Sequence, residues 1–461
     1  MKCGKISRRG TQIKPQSYAN TQAKLCENQR LTLRKSARNK NMIFKNNINF
    51  AKEHDANDKL KSYRSRFYLP QHNGSDVVYF TGNSLGLQPK TTSSYIQQEL
   101  NDWAKFGVEG HFLAKNAWLP YHEFLTEKMA KLVGALPSET VMMNQLTVNL
   151  HLLMVSFYRP TKQRYKILCE AKAFPSDQYA LQSQIKFHGY DIKDALIEIE
   201  PREGEYSIRH EDIYSAIEKN KDSLALIMIG GVNYFTGQVF DMKNITEAGH
   251  KIGAIVGFDL AHAAGNLKLN LHDWNVDFAA WCSYKYLNAG PGSVAGAFVH
   301  EKHHNNTDLP LFAGWWGHDK STRFLMDKTF IPIKTAERWQ LSNAPVFSMA
   351  ACRASLDIFD EVGMETLNEK SKILTAYLEF VIEEISKQKN NCLQIITPKE
   401  NRGCQISFVA NGYGKDLYNK LIENGVIPDW REPNVIRCAP VPLYNSFEDV
   451  FRFGEILKSL L

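Results

Sequence analysis

Six short runs of the chain are apolar at consecutive rather than alternate positions through their centres: ETVMMN, YKILCEA, LALIMIG, IGAIVGFD, FAAWCS and VAGAFV. A strand with one face in water alternates apolar and polar residues, so unbroken runs of this length describe strands buried on both faces, as in a parallel sheet covered by helices. Between them IRHEDIYSAIEKNK and NITEAGHKIG carry the 3.6-residue apolar period of amphipathic helices. The expected fold is α/β, a mostly parallel sheet flanked by helices.

The texture changes after about Ser348. Helical stretches over Ala350–Val362 and Glu365–Gln388 lead into CQISFVA, LYNKLIENG, VIRCAPV and a last helix from Ser446. Helix, strand, helix, strand, helix predicts a smaller α+β domain. The boundaries expected are a tail over 1–41, an N-terminal segment over 42–89 associated with the small domain, a large domain over 90–348, and the small domain over 349–461.

The chain has 56 Lys and Arg against 49 Asp and Glu, a formal charge of +7. Eleven of those basic residues and one acid, Glu27, lie in residues 1–41, which leaves 45 basic against 48 acidic residues elsewhere. The tail is rich in Gln, Asn, Ser and Thr, and its low hydrophobicity predicts disorder. A transit peptide, a nucleic-acid-binding arm or sequence ahead of a later start at Met42 would each explain it; the last is favoured, because no amphipathic basic helix stands out. No apolar signal-peptide core follows the first basic residues, and no apolar run is long enough to span a bilayer. The eight cysteines include no Cys-x-x-Cys pair and no zinc-ligand spacing, so no metal is expected and a reduced cytoplasmic setting fits. Nucleic acid and membrane are not expected partners.

Ligands of open α/β sheets bind beyond the carboxyl ends of the strands. There the sequence places Asp259 with Ala261-His262, Tyr284-Lys285 ahead of Asn288-Ala-Gly-Pro-Gly292, Phe174-Pro-Ser-Asp177, and Gln145-Leu146-Thr147 at a helix start. A lysine and an acid at the ends of separate strands suit pyridoxal phosphate: Lys285 would form the Schiff base and Asp259 would keep the pyridine nitrogen protonated. The start at Leu146-Thr147 offers backbone N–H groups to a phosphate, and Phe174 could cover a ring face. Each residue has a structural alternative: Lys285 as a solvated surface residue, Asp259 or Thr147 as a helix N-cap, Phe174 as core. Their joint order favours the cofactor.

Several stretches are narrower still: GNSLGLQPK (Gly82–Lys90), the Trp103–His111 segment, FPSD, NYFTGQVFD, FDLAHAAGN, WCSYKYLNAGPG, GWWGH (Gly314–His318), LSNAPVF and IRCAPVPLYNSFEDV. From about Tyr79 onward the chain resembles the kynureninase family, pyridoxal-phosphate enzymes of the aspartate-aminotransferase fold. The Asp-x-Ala-His and Lys pattern is shared with cysteine desulfurases; GNSLGLQPK, GWWGH and APVPLYNSF are much narrower. The resemblance implies hydrolytic Cβ–Cγ cleavage of L-kynurenine, or its 3-hydroxy form, to anthranilate or 3-hydroxyanthranilate and L-alanine, in tryptophan degradation towards NAD.

It further implies Lys285, Tyr284 and Asp259 as catalytic groups, and Leu146, Thr147, Phe174, Pro175, Ser176, Asp177 and His262 as cofactor contacts. Trp315 and Asn343 would reach the cofactor phosphate from the other subunit of a homodimer. Ser84, His111, Asn343 and Arg437 would meet the substrate, Arg437 gripping its α-carboxylate with a planar fork of donors. Structural alternatives stand beside these: packing for Trp315, a satisfied histidine for His111, a salt bridge for Arg437. Where the resemblance leads to Ser before Gly-Val, this chain has Gly230-Gly231. An aminotransferase or cysteine desulfurase is the nearest rival, and a nucleic-acid-binding module acting through the basic arm is a rival of another class.

Overall fold

Alternate residues of the same strands feed two separate apolar cores, which is why the runs are apolar throughout. In a computed structural model, which describes residues 43–461, Leu226 and Met228 join one core while Ile227 and Ile229 join the other. The first lies under helices α4 (Leu146–Phe157) and α5 (Pro175–Phe187); the second lies under α3 (Glu123–Val133), α6 (His210–Lys219), α7 (Met242–Lys251) and α8 (Val346–Val362). The basic tail over 1–41 lies outside the described residues.

The sheet comprises β1 (Thr140–Met142), β2 (Lys166–Glu170), β3 (Leu196–Ile199), β4 (Leu224–Gly230), β5 (Ile255–Asp259), β6 (Phe278–Trp281) and β7 (Gly296–Val299), in the order β1-β7-β6-β5-β4-β2-β3. Strands β2 to β6 are mutually parallel, whereas β7 runs antiparallel to both β6 and β1. All six expected strands are present. The apolar runs of β1 and β7 report burial on both faces and not direction, so the antiparallel end of the sheet was invisible in them. The seventh strand, β3, reads LIEI at a half-buried edge and carries no continuous run.

A second, antiparallel sheet is built from β8 (Leu393–Ile395), β9 (Ile406–Ala410), β10 (Asp429–Arg431) and β11 (Val435–Cys438), in the order β8-β9-β11-β10. Around it lie α9 (Met364–Gln388), α10 (Gly414–Glu423) and α11 (Phe447–Leu460). Early residues are stitched into this region. Val78–Tyr79 pairs in parallel with Val426–Ile427, and Asp55 accepts the backbone N–H groups of Phe447 and Glu448 at 2.8 and 2.9 Å. Two free donors at the start of α11 are thereby satisfied from a distant segment, beside the Ser446–Asp449 capping box. Residues 46–461 form one compact unit, and among the described residues no helix is long and apolar enough to cross a membrane.

The turn in GNSLGLQPK is wedged between these parts. The Gly86 N–H donates to the Tyr284 carbonyl at 2.9 Å. A Cβ on Gly86 would stand 2.3 Å from the Lys285 carbonyl oxygen, and one on Gly82 would stand 2.4 Å from the Tyr444 hydroxyl. Only glycine allows approach this close. Gly86→Ala is expected to lower unfolding free energy by about 1–3 kcal/mol, the usual cost of overpacking, measured by urea titration. A change below about 0.5 kcal/mol would mean that the turn is not held against Lys285.

Candidate active site

Three strands of the large sheet end on residues that face one cavity: β2 on Glu170, β4 on Gly230 and β5 on Asp259, with Gly230 and Asp259 in register. The cavity is about 270 Å³, and the first residues of α4 and α5, together with the turns after β5 and β6, complete its wall. Among the expected residues it gathers Leu146, Thr147, Phe174, Ser176, Asp177, Asp259, His262, Tyr284 and Lys285. Pro175 stands between two of them as the first residue of α5, where its fixed φ suits a helix start and its missing N–H costs nothing.

Lys285 is not a solvated surface residue. Its Nζ lies 3.1 Å from His262 Nε2 and over the rings of Phe174 and Tyr284. Burial, then Lys285, Arg437 and Arg431, holds the His262 imidazole well below its usual value. A neutral ring that accepts from Lys285 at Nε2 carries its proton on Nδ1, and that buried nitrogen has no partner among the described residues.

Three carboxyl groups share the floor. Burial, then the neighbouring Asp259 and Glu170, pushes Asp177 well above the carboxylate range, so the hydrogen-bonded Asp177–Asp259 pair shares a proton. Asp259 is also raised by burial, against the opposing pull of the Ala261 N–H, Lys285 and Asp177. The Ala261 N–H reaches Asp259 Oδ1 at 2.6 Å, so the capping alternative and the cavity position hold together. Burial raises Glu170 to about 7; both its oxygens accept the Gly230 N–H, at 3.2 and 3.1 Å.

Glu170 is a residue the sequence reasoning missed, although it ends β2 within YKILCEA just as Asp259 ends β5 within IGAIVGFD. Tyr234, which also lines the cavity, sits in a loop, and its only trace in the sequence was its place in NYFTGQVFD. Burial pushes the Tyr284 hydroxyl up, and Lys285 meets its ring face rather than its oxygen.

The remaining expected residues do not line this cavity. Ser84 lies in the turn held against Tyr284. His111 is in the one-turn helix Gly110–Leu113, bonded to the Val108 carbonyl and edge-on to Trp118. Arg437 is wholly buried, Nη1 donating to the Tyr234 carbonyl at 2.6 Å and Nη2 lying 2.8 Å from Asp429 Oδ2. Trp315 is 44% exposed and Asn343 is exposed.

The residues fit pyridoxal phosphate. A lysine amine faces a carboxylate across the cavity, and the first turn of α4 has no side-chain cap, leaving N–H groups for an anion. Two buried polar atoms, Asp177 Oδ1 and His262 Nδ1, lack partners that a polar ligand would supply. At Gly230 an added Cβ would lie 2.9 Å from Glu170 Oε1, so a serine hydroxyl there would meet that carboxyl group.

Residues 367–457 match the family model described as the kynureninase C-terminal domain. A protein named kynureninase from Flavobacterium psychrophilum is 60% identical over 419 residues, spanning 90% of this chain and 99% of its own length. One from Mus musculus is 47% identical over 426 residues, spanning 88% and 92%. Among solved structures, a C-DES mutant with glycine covalently linked to its PLP cofactor matches with a TM-score of 0.71 at 15% identity, over 83% of this chain and 97% of that one. The cysteine desulfurase CsdA from Escherichia coli matches with a TM-score of 0.70 at 15% identity, over 87% and 98%. At such identities the likeness speaks for the fold alone.

The buried Arg437–Asp429 pair yields a test. Arg437→Met leaves the buried Asp429 charge with only the partly exposed Arg431, 3.2 Å away, and is expected to cost up to about 3–5 kcal/mol, most of which Asp429→Leu in the same chain should recover. Failure of the double variant to recover stability in urea unfolding would show that Arg437 supports the fold through other contacts.

Proposed function

The chain belongs to the kynureninase family, and on that premise we propose that its strand-end cavity binds pyridoxal 5′-phosphate and hydrolyses the Cβ–Cγ bond of L-kynurenine or 3-hydroxy-L-kynurenine. The reaction consumes one water and yields anthranilate, or 3-hydroxyanthranilate, and L-alanine. The observation that carries this reading is the meeting of Lys285, Asp259 and the uncapped start of α4 in one cavity.

Pyridoxal phosphate, when bound, supplies an electron sink for negative charge developing on the substrate carbons. Lys285 would attach it through Nζ, Asp259 would keep its ring nitrogen protonated, and Phe174 would cover a ring face. The N–H groups at Leu146 and Thr147 with the Thr147 hydroxyl would hold the phosphate, and Ser176, Asp177 and His262 would close the wall. Displaced by the substrate amine, the Lys285 amine would take the Cα proton, with His262 at 3.1 Å holding it in place. Water adds to the γ-carbonyl carbon, the Cβ–Cγ bond breaks, and its electron pair stays on Cβ. Oxygen from water ends in the anthranilate carboxylate. Tyr284, whose raised hydroxyl stays protonated, would deliver the proton that completes the alanine methyl group.

A homodimer with shared active sites accounts for the remaining residues. Trp315 and Asn343 would reach the cofactor phosphate of the partner subunit, and Ser84, His111, Asn343 and Arg437 would meet the substrate. Support comes from the exposure of Trp315 and Asn343 and from their position outside this chain's own cavity. Residues 90–348 would form the cofactor-holding domain, with 42–89 and 349–461 as its companion, a division supported by the pairing of Val78–Tyr79 with Val426–Ile427. The six described cysteines are free thiols, which suits a cytoplasmic enzyme.

Cysteine desulfuration is the poorer reading, because it needs a reactive thiol. Cys404 and Cys438 are buried, and burial pushes the Cys404 thiol up to about 12 and Cys438 higher still. Purified protein given kynurenine should release anthranilate and alanine in equal amounts. Lys285→Ala should lose the visible Schiff-base band and at least about 10²-fold in rate. Sulfide from cysteine without anthranilate from kynurenine would overturn the proposal.

A further inference from the structure

Glu170 is left without a task by the mechanism, yet it is the least compensated charge in the cavity. It is 5% exposed and makes no ion pair among the described residues. Its carboxyl group is held by backbone N–H groups alone, the Gly230 N–H reaching both oxygens. Because β4 lies between β2 and β5, and Gly230 is in register with Asp259, this contact lays Glu170 across the end of β4 towards Asp259. The titratable groups facing it are Asp177 from α5, Asp259 from β5, and His262, Tyr284 and Lys285 from the following turns. The nearest acid of β3, Glu198, is engaged by Gln178 at 2.8 Å.

We propose that Glu170 is a positioning residue that sets, through Asp177 and Asp259, the proton affinity of the nitrogen atoms at the cofactor site. Three carboxyl groups around one lysine in a buried space cannot all be ionised, so they share protons as one unit. Asp177 and Asp259 share a proton between them, and Asp259 is steadied by the Ala261 N–H and Lys285. Glu170 has the Gly230 N–H but no cation among the described residues, and is the member that gives up its proton as pH rises through neutrality. The negative charge then added beside Asp259 strengthens proton binding at the ring nitrogen and at the Lys285 nitrogen.

This inference rests on the cavity being the pyridoxal-phosphate site, and Glu170→Gln separates the two. A glutamine oxygen still accepts the Gly230 N–H, so the tie between β2 and β4 is kept while the charge is removed. In the cofactor-loaded protein, the apparent pKa read from the pH titration of the Lys285-dependent band should fall by about half a unit or more. The cofactor-free protein gives a second readout. A carboxyl group whose folded pKa is raised to about 7 takes stability away as pH climbs from its unfolded value towards that point, and no further above it. The thermal midpoint of Glu170→Gln relative to wild type should therefore rise between about pH 5 and pH 8.

Gly230→Ser acts in the opposite sense. Its side chain would meet the mobile end of Glu170 at 2.9 Å and offer a hydroxyl donor that favours the charged form. The Glu170-dependent inflection should move to lower pH in that variant. It decides the matter if Glu170→Gln does not fold. No Lys285-dependent band in wild type would overturn the cavity reading and this inference with it. A normal band that titrates identically in wild type and variants would overturn the role of Glu170 alone.

Discussion

Burial of both sheet faces governs everything downstream. With apolar side chains packed over and under every central strand, the sheet has no face on which to hold charge, and polar chemistry is pushed to the strand ends. There the register decides which groups meet. Gly230 opposite Asp259, with Glu170 bound to the Gly230 N–H, is a consequence of the β2-β4-β5 pairing. The helices that cover the sheet start at the same edge, so the free N–H groups of α4 arrive where an anion would need them.

The electrostatics of the cavity follow from its poverty in cations. One lysine serves three carboxyl groups, and its nearest contact is a neutral imidazole. Protons therefore replace counter-ions: Asp177 and Asp259 are bonded through a proton that the pair shares. Such an arrangement would suit a protonated ring nitrogen, because the Asp259 carboxylate that would face it is already held by the Ala261 N–H.

What could be read in the sequence was what leaves a local trace. Strands buried on both faces did, and so did the acid and lysine that follow β5 and β6. The half-buried LIEI of β3 did not, and strand direction did not, because β7 is as apolar as the parallel strands beside it. Glu170 was legible by the same logic as Asp259 and was passed over because it ends a run without opening a recognisable motif. Trp315, Asn343 and His111 carry motifs in the sequence but lie outside the cavity, since a motif does not state where in the fold its residues come to rest. The Arg437–Asp429 contact joins β11 to β10 across a hairpin, a pairing that becomes visible only in the antiparallel register.

The turn over Gly82–Gly86 has a consequence for synthesis. It touches Lys285 on one side and the region of Val441 and Tyr444 on the other. A growing chain acquires the residues of the large sheet long before it acquires Tyr444, and contacts between such distant segments form late. The lysine is thus translated long before the residues that back the turn against it. A ribosome-bound chain lacking its last strand and helix has every residue of the cavity wall and no complete backing for it, so assembly of the site is a property of the finished polypeptide.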